Sequence, residues 1–124
     1  MSLGGPRVAA ITALALGGCA ALPLGDAPKI VQGLPLPSYQ IFEECFALKE
    51  GDRVEYRFES TEPVDFNLHY HEGGAVVMPV SHERSREAAG VYAVQIGEDY
   101  CLMWEAGAAG AVIDYRFRVR PPDS

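Results

Sequence analysis

Three features of this sequence predict an all-β fold in which two antiparallel sheets pack as a sandwich. Segments 53–60, 64–72, 100–105 and 112–120 alternate apolar with polar residues, the period of a half-buried strand. Turn-forming clusters separate them at Lys49-Glu50-Gly51-Asp52, Gly73-Gly74, Gly97-Glu98-Asp99 and 106–110. No stretch carries the spacing of a long amphipathic helix. A 124-residue chain holds one domain and a tail, and 48% hydrophobic residues are enough to build a core.

Residues 1–18 carry Arg7 as their one charge, followed by the short apolar run Val8 to Leu16. The run is too short for a mature membrane span but suits a secretory signal. Leu16-Gly17-Gly18-Cys19 resembles the lipobox of bacterial lipoproteins, which implies a lipidated Cys19 as the mature first residue. Residues 19–38 contain Pro23, Pro28, Pro35 and Pro37 without periodicity and are expected to form a flexible linker.

The domain is expected over 39–120, followed by a tail at 121–124. Its first strand lies in 39–48, apolar at Ile41, Phe42, Phe46 and Leu48. The strand in 53–60 points Val54, Tyr56 and Phe58 inward, with Glu55, Arg57 and Glu59 outward. Glu62-Pro63 is expected to end it. The next strand points Val64, Phe66, Leu68 and Tyr70 to one face and Asp65, Asn67, His69 and His71 to the other. Residues 75–80 form a further strand with Pro79 near an edge or bulge. The charged segment 81–90 reads as a solvated connection, and 91–96 resumes a strand. The last two strands place Tyr100, Leu102 and Trp104, then Ile113, Tyr115, Phe117 and Val119, toward the core. Seven or eight short strands result.

Without residues 1–18 the chain keeps 17 acidic against 9 basic residues, a formal charge of −8. That sign argues against nucleic acid as a partner and against electrostatic attraction to anionic lipid, so an N-terminal lipid is the only expected route to a membrane. If Cys19 carries lipid, Cys45 and Cys101 remain as one pair. In a small exported domain a disulfide is chemically allowed and typically stabilises by about 2–4 kcal/mol. A reduced Cys101, joined by Met103, would instead offer soft ligands to copper.

His69 and His71 are the sharpest candidate site. Residues i and i+2 of a strand share a face about 7 Å apart, so two imidazoles can converge on one Zn or Cu ion. Glu72, His82, Met78 and Met103 are the candidate further ligands, since zinc wants three or four. The alternative is an exposed polar sheet face. Catalysis finds no motif: neither Gly-x-Ser-x-Gly nor His-Glu-x-x-His occurs. Glu43-Glu44 and Ser81-His82 are adjacent strand positions that face opposite ways.

Cys45-Phe46, Lys49-Glu50-Gly51-Asp52, Gly90-Val91-Tyr92 and Tyr100-Cys101 together resemble a GOLD domain, the luminal β-sandwich of early-secretory cargo receptors. The resemblance spans roughly 39–119. It implies a jelly-roll-like sandwich, a disulfide between Cys45 and Cys101, and a binding role with no catalytic residues. Those receptors continue into a coiled coil, a membrane helix and a tail, whereas this chain ends at Pro121-Pro122-Asp123-Ser124, so cargo-receptor function is not expected. The expected protein is an outer-membrane lipoprotein facing the periplasm, a non-catalytic module that binds a protein or another envelope component. Periplasmic metal binding and a purely structural lipoprotein are the alternatives.

Overall fold

The two longest alternating segments do not end where their turn residues suggest, and this decides the architecture. In the computed structural model, which describes residues 27–122, six strands follow one another: β1 (Lys29–Leu36), β2 (Ile41–Leu48), β3 (Arg53–Glu72), β4 (Ala75–Ala93), β5 (Glu98–Ala106) and β6 (Ala111–Arg120). All pairings are antiparallel. β3 runs beside β4 along its length, while its other edge is divided between two partners. Arg53 to Ser60 pairs with β6, and Val64 to Tyr70 pairs with β5. β1 extends one half beyond β6, and β2 extends the other beyond β5. One sheet therefore curls into two layers, with the β3–β4 hairpin running through both.

The corner lies at Ser60-Thr61-Glu62-Pro63, where the register jumps from Glu59 opposite Glu87 to Val64 opposite Ser85. The extra residues bend β3 instead of ending it, as a bulge does. Side chains tie the corner to β4 and β6. Arg86 Nη1 donates to the Thr61 carbonyl at 2.8 Å, and the Val112 N–H donates to Thr61 Oγ1 at 2.9 Å.

Folding the layers together buries the inward residues of both. Val54, Leu68, Tyr100 and Ile113 have no exposed surface, and Trp104, Phe58, Phe66 and Leu102 keep 1%. Rings dominate the contact: Trp104 lies 4.4 Å from Tyr115 and 5.2 Å from Phe66 between centroids, and Phe46 stacks on Phe117 at 4.8 Å. Tilted and offset pairs of this kind each add about 0.5–1.5 kcal/mol beyond their burial. Gly90 is required by this packing, because a Cβ there would lie 2.5 Å from the Tyr56 hydroxyl oxygen.

Three expectations are corrected. The expected linker 19–38 contains a strand, β1, that pairs with β6 and lays Val31, Leu34 and Leu36 against the core. A bulge at Gln32-Gly33 breaks its alternation, with Gly33 at φ 69°, which hid the period from the sequence. The domain thus reaches back to Lys29 instead of starting at 39; residues 1–18 and Cys19 lie outside the described residues. Residues 81–90 belong to β4 instead of forming a solvated loop, and the strand of 91–96 is that strand's end, closing at Ala93. Their charges suit an edge: among the described residues β4 pairs only with β3, and Pro79 with the charges of 83–87 guards its other side against further strand pairing. Among the described residues the strand count is six instead of seven or eight, because β3 and β4 each join segments that read as separate.

Candidate functional site

The outer row Asp65, Asn67, His69 and His71 leaves the core side as its alternation requires, but its middle is not solvent-exposed. Asn67 retains 5% and His69 3% of their surface. Both stand on the central strand of their layer, with Met103 and Cys101 opposite on β5. On the β4 side the register slips by one between Leu68 opposite Val80 and Tyr70 opposite Val77, so Met78-Pro79 bulges opposite His69.

His69 Nδ1 lies 2.7 Å from Asn67 Oδ1. The amide oxygen can only accept, so Nδ1 carries the proton and donates, which leaves Nε2 bare in the neutral ring. That nitrogen faces the Glu43 carboxylate at 3.5 Å. Burial holds the His69 pKa below the usual histidine value; attraction to Glu43 opposes this, and the neighbouring His71 reinforces it. Burial therefore favours the neutral ring.

Glu43, His69 and Cys101 bring one donor atom each within 4.8 Å of one another. Cys101 is bonded to Cys45, its direct register partner across β2 and β5, with Cα atoms 4.0 Å apart. With the disulfide closed this cluster offers one imidazole and one carboxylate, fewer than a zinc site needs. His71 is exposed and its ring lies 5.3 Å from that of His69. Met103 shares the face. Met78 is 49% exposed on the bulge. Glu72 ends β3 on the side opposite His71. His82 does not join them: it stands across the sheet, its ring 6.1 Å from Phe66 and Nε2 3.2 Å from the Tyr56 hydroxyl. Glu43 was missed as a ligand in the sequence. Its signal was present, because Ile41, Glu43 and Cys45 share one face of β2 and a disulfide would bring that face beside Cys101.

A second feature lies at the end of the molecule. Tyr39 (φ 60°) and Arg84 (φ 48°) are the non-glycine residues with left-handed backbone among those described, and both line one depression of about 220 Å³ with Asp65 and Glu105. Asp65 Oδ1 accepts the Arg84 N–H at 2.8 Å, and the Tyr39 N–H donates to the Gly107 carbonyl at 3.1 Å. Tyr39 keeps 67% of its surface. Conformations of this type cost of order 1–3 kcal/mol and persist where surrounding bonds over-determine them, often at functional sites.

No family model matches the sequence, and no curated protein matches it. Solved structures do resemble the fold. The chain is similar to PliG of Aeromonas hydrophila, a periplasmic lysozyme inhibitor of g-type lysozyme, with a TM-score of 0.61, 10% identity, and coverage of 82% of this chain and 93% of that one. It is also similar to the Yersinia pseudotuberculosis-derived mitogen, with a TM-score of 0.50, 11% identity, and coverage of 80% and 89%.

Proposed function

We propose that this protein is an exported, lipid-anchored, non-catalytic module that binds a protein partner in the cell envelope. The convergence of Tyr39 and Arg84 carries this reading: two side chains of the types that dominate protein hot spots, each held in a costly conformation by hydrogen bonds, project around one depression. The likeness to a periplasmic inhibitor and to a mitogen supports a binding role on this fold, and the disulfide suits an oxidising compartment. A GOLD relationship would support the same role. The surplus of acid, −7 over the chain, favours a cationic partner.

The partner tested first is a g-type lysozyme, by calorimetric titration and by inhibition of its activity on cell walls. Binding that falls at least tenfold in Tyr39→Ala and Arg84→Ala supports the reading. Binding indifferent to both, or a chain that itself cleaves the substrate, contradicts it. The anchor is tested by intact mass, since an unmodified Cys19 in protein extracted from membranes contradicts lipidation.

A second reading, a Zn or Cu site at His69 and His71, is favoured by the Glu43–His69–Cys101 cluster and requires the disulfide open for its thiolates. Metal titration with and without a thiol reductant tests it; no uptake in either state, or uptake unchanged in His69→Ala, removes it.

A further inference from the structure

A cluster of arginines lies on the outer face of the other layer. Arg53, Glu55, Arg57 and Glu59 of β3 stand opposite Arg120, Arg118, Arg116 and Asp114 of β6. Among the described residues, five arginines meet three carboxylates on this face of a chain of formal charge −7, and Arg53 and Arg118 have further interactions of their own. The carboxylates are engaged. Glu55 accepts from Arg118 at 2.7 Å and from Arg120 at 3.1 Å, and Asp114 accepts the Gly33 N–H at 2.7 Å. Glu59 lies 3.6 Å from Arg57, a loose pair in which both partners are more than half exposed. No side-chain hydrogen bond or ion pair engages Arg116 among the described residues. Arg57 and Arg116 face each other directly, an arrangement that disfavours the sheet by itself.

Around this pair the surface is concave and edged with apolar groups. Two depressions of about 500 and 340 Å³ share Arg57 and Arg116 as their common wall. Ile30, opposite Arg116 on β1, is 59% exposed, and Val91, opposite Glu55 on β4, is 61% exposed. Pro28, which lines the larger depression, directly precedes β1. It is nine positions after Cys19, a length that even fully extended reaches at most about 30 Å.

We infer that this arginine face is a membrane-docking surface for anionic phospholipid headgroups, with Arg57 and Arg116 straddling a headgroup phosphate and Ile30 and Val91 entering the interface. Charge complementarity selects the occupant, apolar flanks suit a bilayer boundary better than free phosphate, and the nine positions between Cys19 and Pro28 are too few to hold the face far from a lipidated Cys19. The chain's overall acidity does not oppose this, because attraction is set within a Debye length of about 10 Å by the face presented. The inference adds a second contact to the anchor proposed above, and its test uses unlipidated protein so that the two fail separately.

The chain from residue 19 onward carrying Cys19→Ser, which retains all described residues, is mixed at low salt with vesicles of phosphatidylcholine, with or without phosphatidylglycerol. Binding only to the phosphatidylglycerol vesicles, weakened by salt, at least about tenfold lower in Arg57→Gln/Arg116→Gln and higher in Glu59→Gln, is expected. Near-ultraviolet circular dichroism from Trp104 checks that each variant is folded. Equal binding to both vesicles, no binding to either, or a double variant that binds like the parent would overturn the inference. So would binding of a polyglutamate peptide without binding of vesicles.

Discussion

Asn67 and His69, two positions apart on β3, form a buried hydrogen bond of 2.7 Å on the face of the sheet that leads away from the core. The bond fixes which ring nitrogen carries the proton and turns the other toward Glu43. Removing the amide strands a buried donor. Asn67→Ala is expected to cost about 1–3 kcal/mol in urea unfolding, more than an exposed Asn on the same row would. A cost below about 0.5 kcal/mol would mean that water replaces the amide.

The same pair sets a pH dependence. Because burial lowers the His69 pKa, the unfolded chain takes up a proton first as pH falls. Stability from this residue is complete above the unfolded value of about 6.5 and is lost as pH drops from there toward the folded pKa. Glu55, held below its ordinary 4.5 chiefly by the Arg118 hydrogen bond, adds its own loss only at lower pH. Urea titrations between about pH 7.5 and pH 5.5 are expected to show the first loss in the parent and a flatter profile in His69→Gln. An unchanged slope in the variant argues against this assignment.

The Cys45–Cys101 bond links positions 56 apart, from β2 to β5, and closes over the whole β3–β4 hairpin. Its loss in Cys45→Ser/Cys101→Ser is expected to reduce stability by about 2–4 kcal/mol, through the freedom returned to the unfolded chain. Denaturant midpoints of parent and variant give the difference directly.

Gly90 and Tyr56 are coupled by space. In Gly90→Ala the new methyl meets the Tyr56 hydroxyl at 2.5 Å and its ring carbon at 2.9 Å, so a cost of about 1–3 kcal/mol is expected. Tyr56→Phe removes the nearer atom. The double variant is expected to lose less than the sum of the single changes, a non-additivity of at least about 0.5 kcal/mol. Strict additivity would mean the backbone relaxes without the ring.

Tyr39 tests strain against function. Glycine adopts its left-handed backbone without the penalty of a Cβ, so Tyr39→Gly is expected to leave stability unchanged or raise it by about 1 kcal/mol. The same variant is expected to weaken binding to the protein partner. Thermal unfolding beside a binding titration separates the two effects, and a destabilised variant would show that the exposed ring packs more than its 67% exposure indicates.

The alternation of 53–58, 64–70 and 100–104 placed all the fully buried side chains of those segments on the correct face, because period two admits one partition of a strand. That the chain is all-β followed from this and from its turns. The ends of strands were less legible. Glu62-Pro63 and the charges of 81–90 carry the local chemistry of a break, yet the corner at Ser60 to Pro63 and the edge position of β4 tolerate both. β1 escaped notice because Gly33 slips its period midway.

Residue order by itself determined which side chains face inward, since that depends only on neighbours in the chain. Which outward side chains meet one another was decided by the fold: the burial of His69, its approach to Glu43, the placement of His82 on the far side of the sheet, and the opposition of Arg57 to Arg116. Those relations depend on strand order and register, which long-range packing of the aromatic core selects and no local pattern encodes.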